Sequence, residues 1–76
     1  MAALTLMARH LRSGKYYRLV AVNAHDVEDP SRKLAIYEQT STTLNHFTGE
    51  QVPQGTLWVC EMTKFRRQFL VVGVLR

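Results

Sequence analysis

The side chains with the most reactive chemistry in this chain are three histidines and one cysteine: His10, His25, His46 and Cys60. Three imidazoles can hold a metal ion when a fold gathers them. Here they sit in three separate segments, and no pair has the i, i+2 or i, i+4 spacing that gathers two ligands locally. Surface and turn-stabilising roles are the simpler expectation, and His25 beside Asp26 reads as a strand-end hydrogen bond. Cys60 lies between Val59 and Met62, a setting for a buried, inert thiol rather than a nucleophile. Glu38, Glu50 and Glu61 have no spacing that marks an acid/base pair, and Gly14 alone does not make a phosphate loop. No metal, cofactor or catalytic residue is expected. One thiol also leaves no disulfide framework, which favours a reducing compartment.

The stretch "RHLRSGKYYRLVAVNAHD" carries a different chemistry. Arg9, Arg12, Lys15 and Arg18 surround Tyr16 and Tyr17, and residues 1–25 hold no acid. Cationic grooves in which aromatic rings stack on bases are how single-stranded nucleic acid is held. Along a strand, Tyr16 and Arg18 share one face while Tyr17 and Leu19 share the other. With Leu19 inward, Tyr16 and Arg18 point outward together. Asp26, Glu28 and Asp29 then form an acidic cluster, and a second basic block, Lys64, Arg66 and Arg67, lies near the end with Arg76. A small fold that brings its ends together would join Arg66 and Arg67 to Arg9, Arg12, Lys15, Tyr16 and Arg18 in one nucleic-acid-binding patch. The competing expectation is a solvated face, with Tyr17 and Trp58 in the core.

The elements that must position these residues read as strands. "KYYRLVAVNA" and "KLAIYEQT" are β-branched and aromatic, with the turn formers of "DVEDPSR" between them. "STTLNHFTGEQVPQG" is a long loop with room for a short hairpin. "TLWVCEM" is apolar on both faces, which predicts a central strand. "TKFRRQ" is a turn or one helical turn, and "FLVVGVL" is a further strand in which Gly73 suggests a bulge or bend. "LTLMARHL" fits either a strand or a short helix. The pattern predicts one domain over residues 1–76, mostly β: a small antiparallel SH3-like barrel or a strongly bent sheet, with one helical turn near Thr63–Gln68. The expected core is Leu19, Ala21, Ile36, Trp58 or its neighbour Val59, and Val72.

The net charge of +4 biases the chain towards anionic partners. The first residues, "MAALTLMA", have their cations after the apolar run rather than before it, the reverse of a secretory signal. No run approaches the ~20 apolar residues of a membrane span. The expectation is a cytoplasmic, non-enzymatic binding module without a membrane partner. Nucleic acid is the first candidate partner. The alternative is a protein–protein module, a phage-type inhibitor or adaptor of a host complex, docking through "FLVVGVL" and the loop around His46 and Phe47.

"ARHLRSGKYYRLVAVNAHD", "KLAIYEQT" and "GTLWVCEMTKF" together resemble a family of small bacterial and phage proteins, domain-of-unknown-function family 1653. Arg9, His10, Gly14, Tyr17, His25, Tyr37, Trp58 and Phe65 fill the places of its ordered pattern, over roughly residues 8 to 66. The chain departs from it in two places. The family has arginine–proline after the tryptophan strand where this chain has Cys60 and Glu61, and the loop from Ser41 to Gly55 is longer. The resemblance implies a compact, mostly-β, SH3-like fold and no established activity.

Overall fold

In a computed structural model, residues 4–45 and 47–75 are described. His46 and Arg76, both named above, lie outside them. Seven strands and one helix follow in order: β1 (Leu4–His10), β2 (Tyr16–His25), β3 (Lys33–Gln39), β4 (Thr43–Leu44), β5 (Gln51–Val52), β6 (Leu57–Glu61), α1 (Met62–Gln68) and β7 (Phe69–Leu75). "LTLMARH" is thus a strand. Five strands form one antiparallel sheet in the order β6-β3-β2-β1-β7, and β4 pairs with β5 in a small second sheet.

The sheet bends strongly, for two reasons that can be traced to residues. The register between β2 and β3 slips twice, between Leu19 and Ala21 and again between Ala21 and Ala24, with Asn23 at φ 55. Each slip inserts an unpaired residue into β2, which kinks and twists the strand. Second, α1 joins β6 directly to β7, the two edges of the sheet. Four inter-strand gaps amount to about 19 Å in a flat sheet, but a seven-residue helix is only about 10 Å long. The sheet must curl to bring its edges within that reach. Among the described residues β6 and β7 do not pair, so the sheet is bent rather than closed.

α1 lies across the inner face of this curl. Met62 and Phe65 point inward and join Ala8, Ala35 and Phe69 in the buried core. Phe65 and Phe69 stack at 4.8 Å between ring centroids, and Tyr37 meets Phe69 at 4.9 Å. Tyr17, Leu19, Tyr37 and Cys60 pack around them, half-buried. Burial raises the pKa of both tyrosines above the ordinary phenol range, so they remain neutral in the core.

The core differs from the one the pattern predicts. β6 is an edge strand, not a central one: Trp58 is 38% and Val59 60% exposed. A strand apolar on both faces signals burial only where a second layer covers each face, and here a single short helix covers part of one. Leu19, Ala21, Ile36 and Val72 are half-buried rather than fully buried, for the same reason. Cys60 is half-buried against the core, with its thiol 3.4 Å from the Glu61 carbonyl.

Candidate nucleic-acid interface

The β1–β2 hairpin holds most of the candidate residues. Gly14 sits at φ 75, a left-handed conformation that a residue with a Cβ adopts only with strain. Its N–H donates to the His10 carbonyl at 2.7 Å, and the His10 N–H donates to the Lys15 carbonyl at 2.8 Å. The His10 ring braces the turn: Nδ1 accepts from the Ser13 N–H at 3.2 Å, and the ring meets Phe69 edge-on at 5.0 Å. At the far end of β2, His25 Nδ1 donates to the Pro30 carbonyl at 2.7 Å. Among the described residues no cluster of three His, Cys, Asp or Glu side chains is placed to hold a metal ion.

This turn sets the register. Arg9 stands opposite Tyr16, and Met7 opposite Arg18. Directly paired residues share a face, so Arg9, Tyr16 and Arg18 share the outer face, away from α1. Tyr17 pairs with buried Ala8 and belongs to the inner face. Tyr16 is 48% exposed. With Gly14 and Lys15 it lines an open concavity whose other wall is Thr40, Ser41 and Thr43. Thr40 Oγ1 donates to the Tyr16 carbonyl at 2.9 Å and ties the two walls together. Lys15 and Arg12 project from the same turn, both exposed.

Arg18 is placed differently in kind. Its Nε donates to Glu38 Oε1 at 2.8 Å across the β2–β3 pair. The pairing holds the Glu38 carboxyl below the usual carboxylate range, chiefly through the hydrogen bond, and raises Arg18. That contact engages one edge of the Arg18 guanidinium, whose side chain stays half exposed. The depressed carboxyl also fixes a direction: the contribution of this pair is present above the ordinary Glu range and is lost as pH falls through the lower folded value. An acid titration of stability should show that loss in the wild type and not in Glu38→Gln. An identical acid limb in both proteins would refute it.

The second basic block divides. Arg66 lines another concavity, with Asn23, Ser31, Arg32, Lys33, Glu61, Met62 and Thr63; none of Arg9, Arg12, Lys15 and Tyr16 lines it. Arg32 is engaged there by Asp26 at 3.5 Å and Glu61 at 2.7 Å. Arg67 is one residue from Gln68, whose carbonyl accepts the Leu11 N–H at 2.8 Å, so the end of α1 does meet the hairpin. Both arginines occupy the last turn of α1, where positive charge also suits the helix dipole.

One polar residue escaped the sequence reading. Gln39 is 4% exposed, and its side chain links three segments. Nε2 donates to the Ser41 carbonyl at 3.0 Å and to Thr43 Oγ1 at 3.1 Å, while Oε1 accepts from Trp58 Nε1 at 3.1 Å. It anchors the β4–β5 sheet to the main one and so holds up the far wall of the Tyr16 concavity. Its place as the last residue of β3, before a polar loop, was the one available signal.

No family model matches the chain, and no curated protein or solved structure matches it. Among the described residues no helix is long and apolar enough to cross a membrane.

Proposed function

We propose that the protein is a non-enzymatic binding module that takes single-stranded nucleic acid at the β1–β2 hairpin. The observation that carries this reading is the opposition of Arg9 and Tyr16 on the outer face, beside a concavity lined by Tyr16 and Lys15. An exposed ring offers a stacking platform to any base, and Arg9, Arg12 and Lys15 offer charge to the flanking phosphates. Little sequence preference follows, because every base has a face. Arg67 extends the patch and Arg18, although paired with Glu38, adds to it beside Tyr16, whereas Arg66 lines the separate concavity near Asn23 and Glu61. The strand order, with the last strand returning beside the first, supports an SH3-like reading of the fold, and the short cysteine count supports a cytoplasmic one.

The test is a fluorescence-anisotropy titration of labelled oligonucleotides at several salt concentrations. Lys15→Ala should weaken binding for all sequences and lower the salt slope by roughly one unit. Tyr16→Ala should cost about 1–3 kcal/mol of binding with the slope unchanged. No binding even at low salt, where electrostatics are strongest, would end the nucleic-acid reading. The protein–protein module then leads, favoured by the exposure of Leu57, Val59 and Leu70.

A further inference from the structure

Arg18 stands two residues along β2 from Tyr16 on the same outer face, about 6.8 Å away. With Glu38, its register partner, it lines an open concavity of about 520 Å³, within the size range of small-molecule sites. Gln54 and Gly55, from the loop before β6, line it as well. That loop is fastened: the Gln54 N–H donates to Thr42 Oγ1 at 3.2 Å, and the Gly55 N–H donates to the Gln39 carbonyl at 3.0 Å. Gly55 has φ 90, and a Cβ added there would meet nothing within 4 Å, so this wall leaves open space. Gln39 and Thr40 line both this concavity and the one at Tyr16, so the two adjoin.

The ion pair at this place is not used up by itself. It engages Arg18 Nε and Glu38 Oε1, and the side chains stay 47% and 28% exposed. The Arg18 Nη groups and Glu38 Oε2 are left for a ligand. The pairing also keeps Glu38 ionised, and therefore acceptor-only. A ligand thus meets a donor beside a pair of acceptor oxygens. A phosphate seated here would meet the Glu38 carboxylate as well as Arg18, whereas a neutral base edge can use both.

We propose that this concavity is a base-reading subsite that selects guanine in the nucleotide next to the one stacked on Tyr16. It rests on the single-strand reading above and adds to it one position of sequence preference. Guanine is the one base whose Watson–Crick edge sets two donors, N1–H and the N2 amino group, beside an acceptor, O6. The donors face the Glu38 carboxylate, and O6 faces the Arg18 guanidinium. Adenine and cytosine bring the carboxylate one amino group each, and thymine brings one N–H flanked by two carbonyls. Unpaired bases are read on this edge when they are splayed out of a single strand. The spacing asks for that state. The distance from Tyr16 to Arg18 is about twice the 3.4 Å per nucleotide of a stacked strand, so neighbouring bases seated at both residues are unstacked.

The experiment is a fluorescence-anisotropy titration with labelled dT strands about ten nucleotides long, within the span of a small single-strand module. Each carries one central dG, dA or dC. The dG strand should bind at least about fivefold tighter than the dA and dC strands, the lower end for a bidentate contact to a base edge. Deoxyinosine in place of dG, which lacks the N2 amino group, should lose most of that gain. 7-Deazadeoxyguanosine should keep it, because N7 is not used. In Glu38→Gln the affinity ratio of dG to dA should fall to within about twofold, less than a bidentate contact gives. The ratio is read within one protein, so a general loss of affinity cancels. Should that variant fail to fold, the inosine strand tests the same contact in the wild type. Equal binding of the dG and dA strands overturns the subsite and leaves the single-strand reading standing. A dG preference that inosine keeps, that 7-deazadeoxyguanosine loses, or that folded Glu38→Gln retains overturns the subsite too. No binding of any strand overturns both.

Discussion

Phe65→Ala should remove about 3–5 kcal/mol of stability, the usual cost of emptying an aromatic site in a core. Phe65 is the largest fully buried side chain and stacks on Phe69 beneath Tyr37. Domains of 76 residues hold roughly 4–11 kcal/mol in total, so one substitution takes a large part of it. The neighbours cannot collapse into the space easily. Ala8 and Ala35 are short, buried side chains fixed on the strands, with no length to reach into the gap, and α1 is pinned at both ends by strands with no intervening loop. Thermal denaturation should move down by roughly 15–30 °C. A cooperative transition within about 5 °C of the wild type would show that the aromatic stack is not the core.

Gln39→Leu should be the next most damaging change, at about 2–3 kcal/mol, although it adds apolar surface to a buried site. Leucine can neither donate to the Ser41 carbonyl and Thr43 nor accept from Trp58. Those groups lose a partner where water reaches only some of them, and the β4–β5 sheet loses its side-chain anchor. Two measurements separate this from a generic core defect. Amide exchange should quicken most in residues 43–52, and binding of oligonucleotides should weaken because the far wall of the concavity loosens. Unchanged exchange there, together with a stability loss below about 0.5 kcal/mol, would contradict the anchoring role.

The strands were legible where one face meets the core and the other meets water. β2 alternates over its first seven residues, and the period survives in "KYYRL"; β3 shows it less, with Ala35 and Gln39 buried and the residues between them half-buried. β6 was misread as central because its composition records that its side chains are apolar, not that anything covers them. Phe65 and Phe69 carried a helical signal, i and i+4 with Met62 three residues earlier, but a stretch with Lys64, Arg66 and Arg67 reads as surface. The site was legible only in part. That Tyr16 and Arg18 point the same way follows from the period of a strand. That Arg9 faces Tyr16 depends on a turn whose length is fixed by Gly14 and His10. That Arg18 is held by Glu38, twenty residues on, depends on a β2–β3 register with two slips in it. No local pattern encodes either.

The pairing of β1 with β7 runs from His10 opposite Phe69 to Leu4 opposite Leu75. The two ends of the described chain therefore leave the domain side by side, about 5 Å apart as neighbouring strands are. A domain with that property is topologically a loop. A linker of a few residues could join the ends and the chain could be reopened in the exposed turn at Asp29–Ser31, giving a circular permutant with the same sheet. Equally, the unit could be spliced into a surface loop of another protein, entering and leaving at one point and leaving the host's own connections undisturbed.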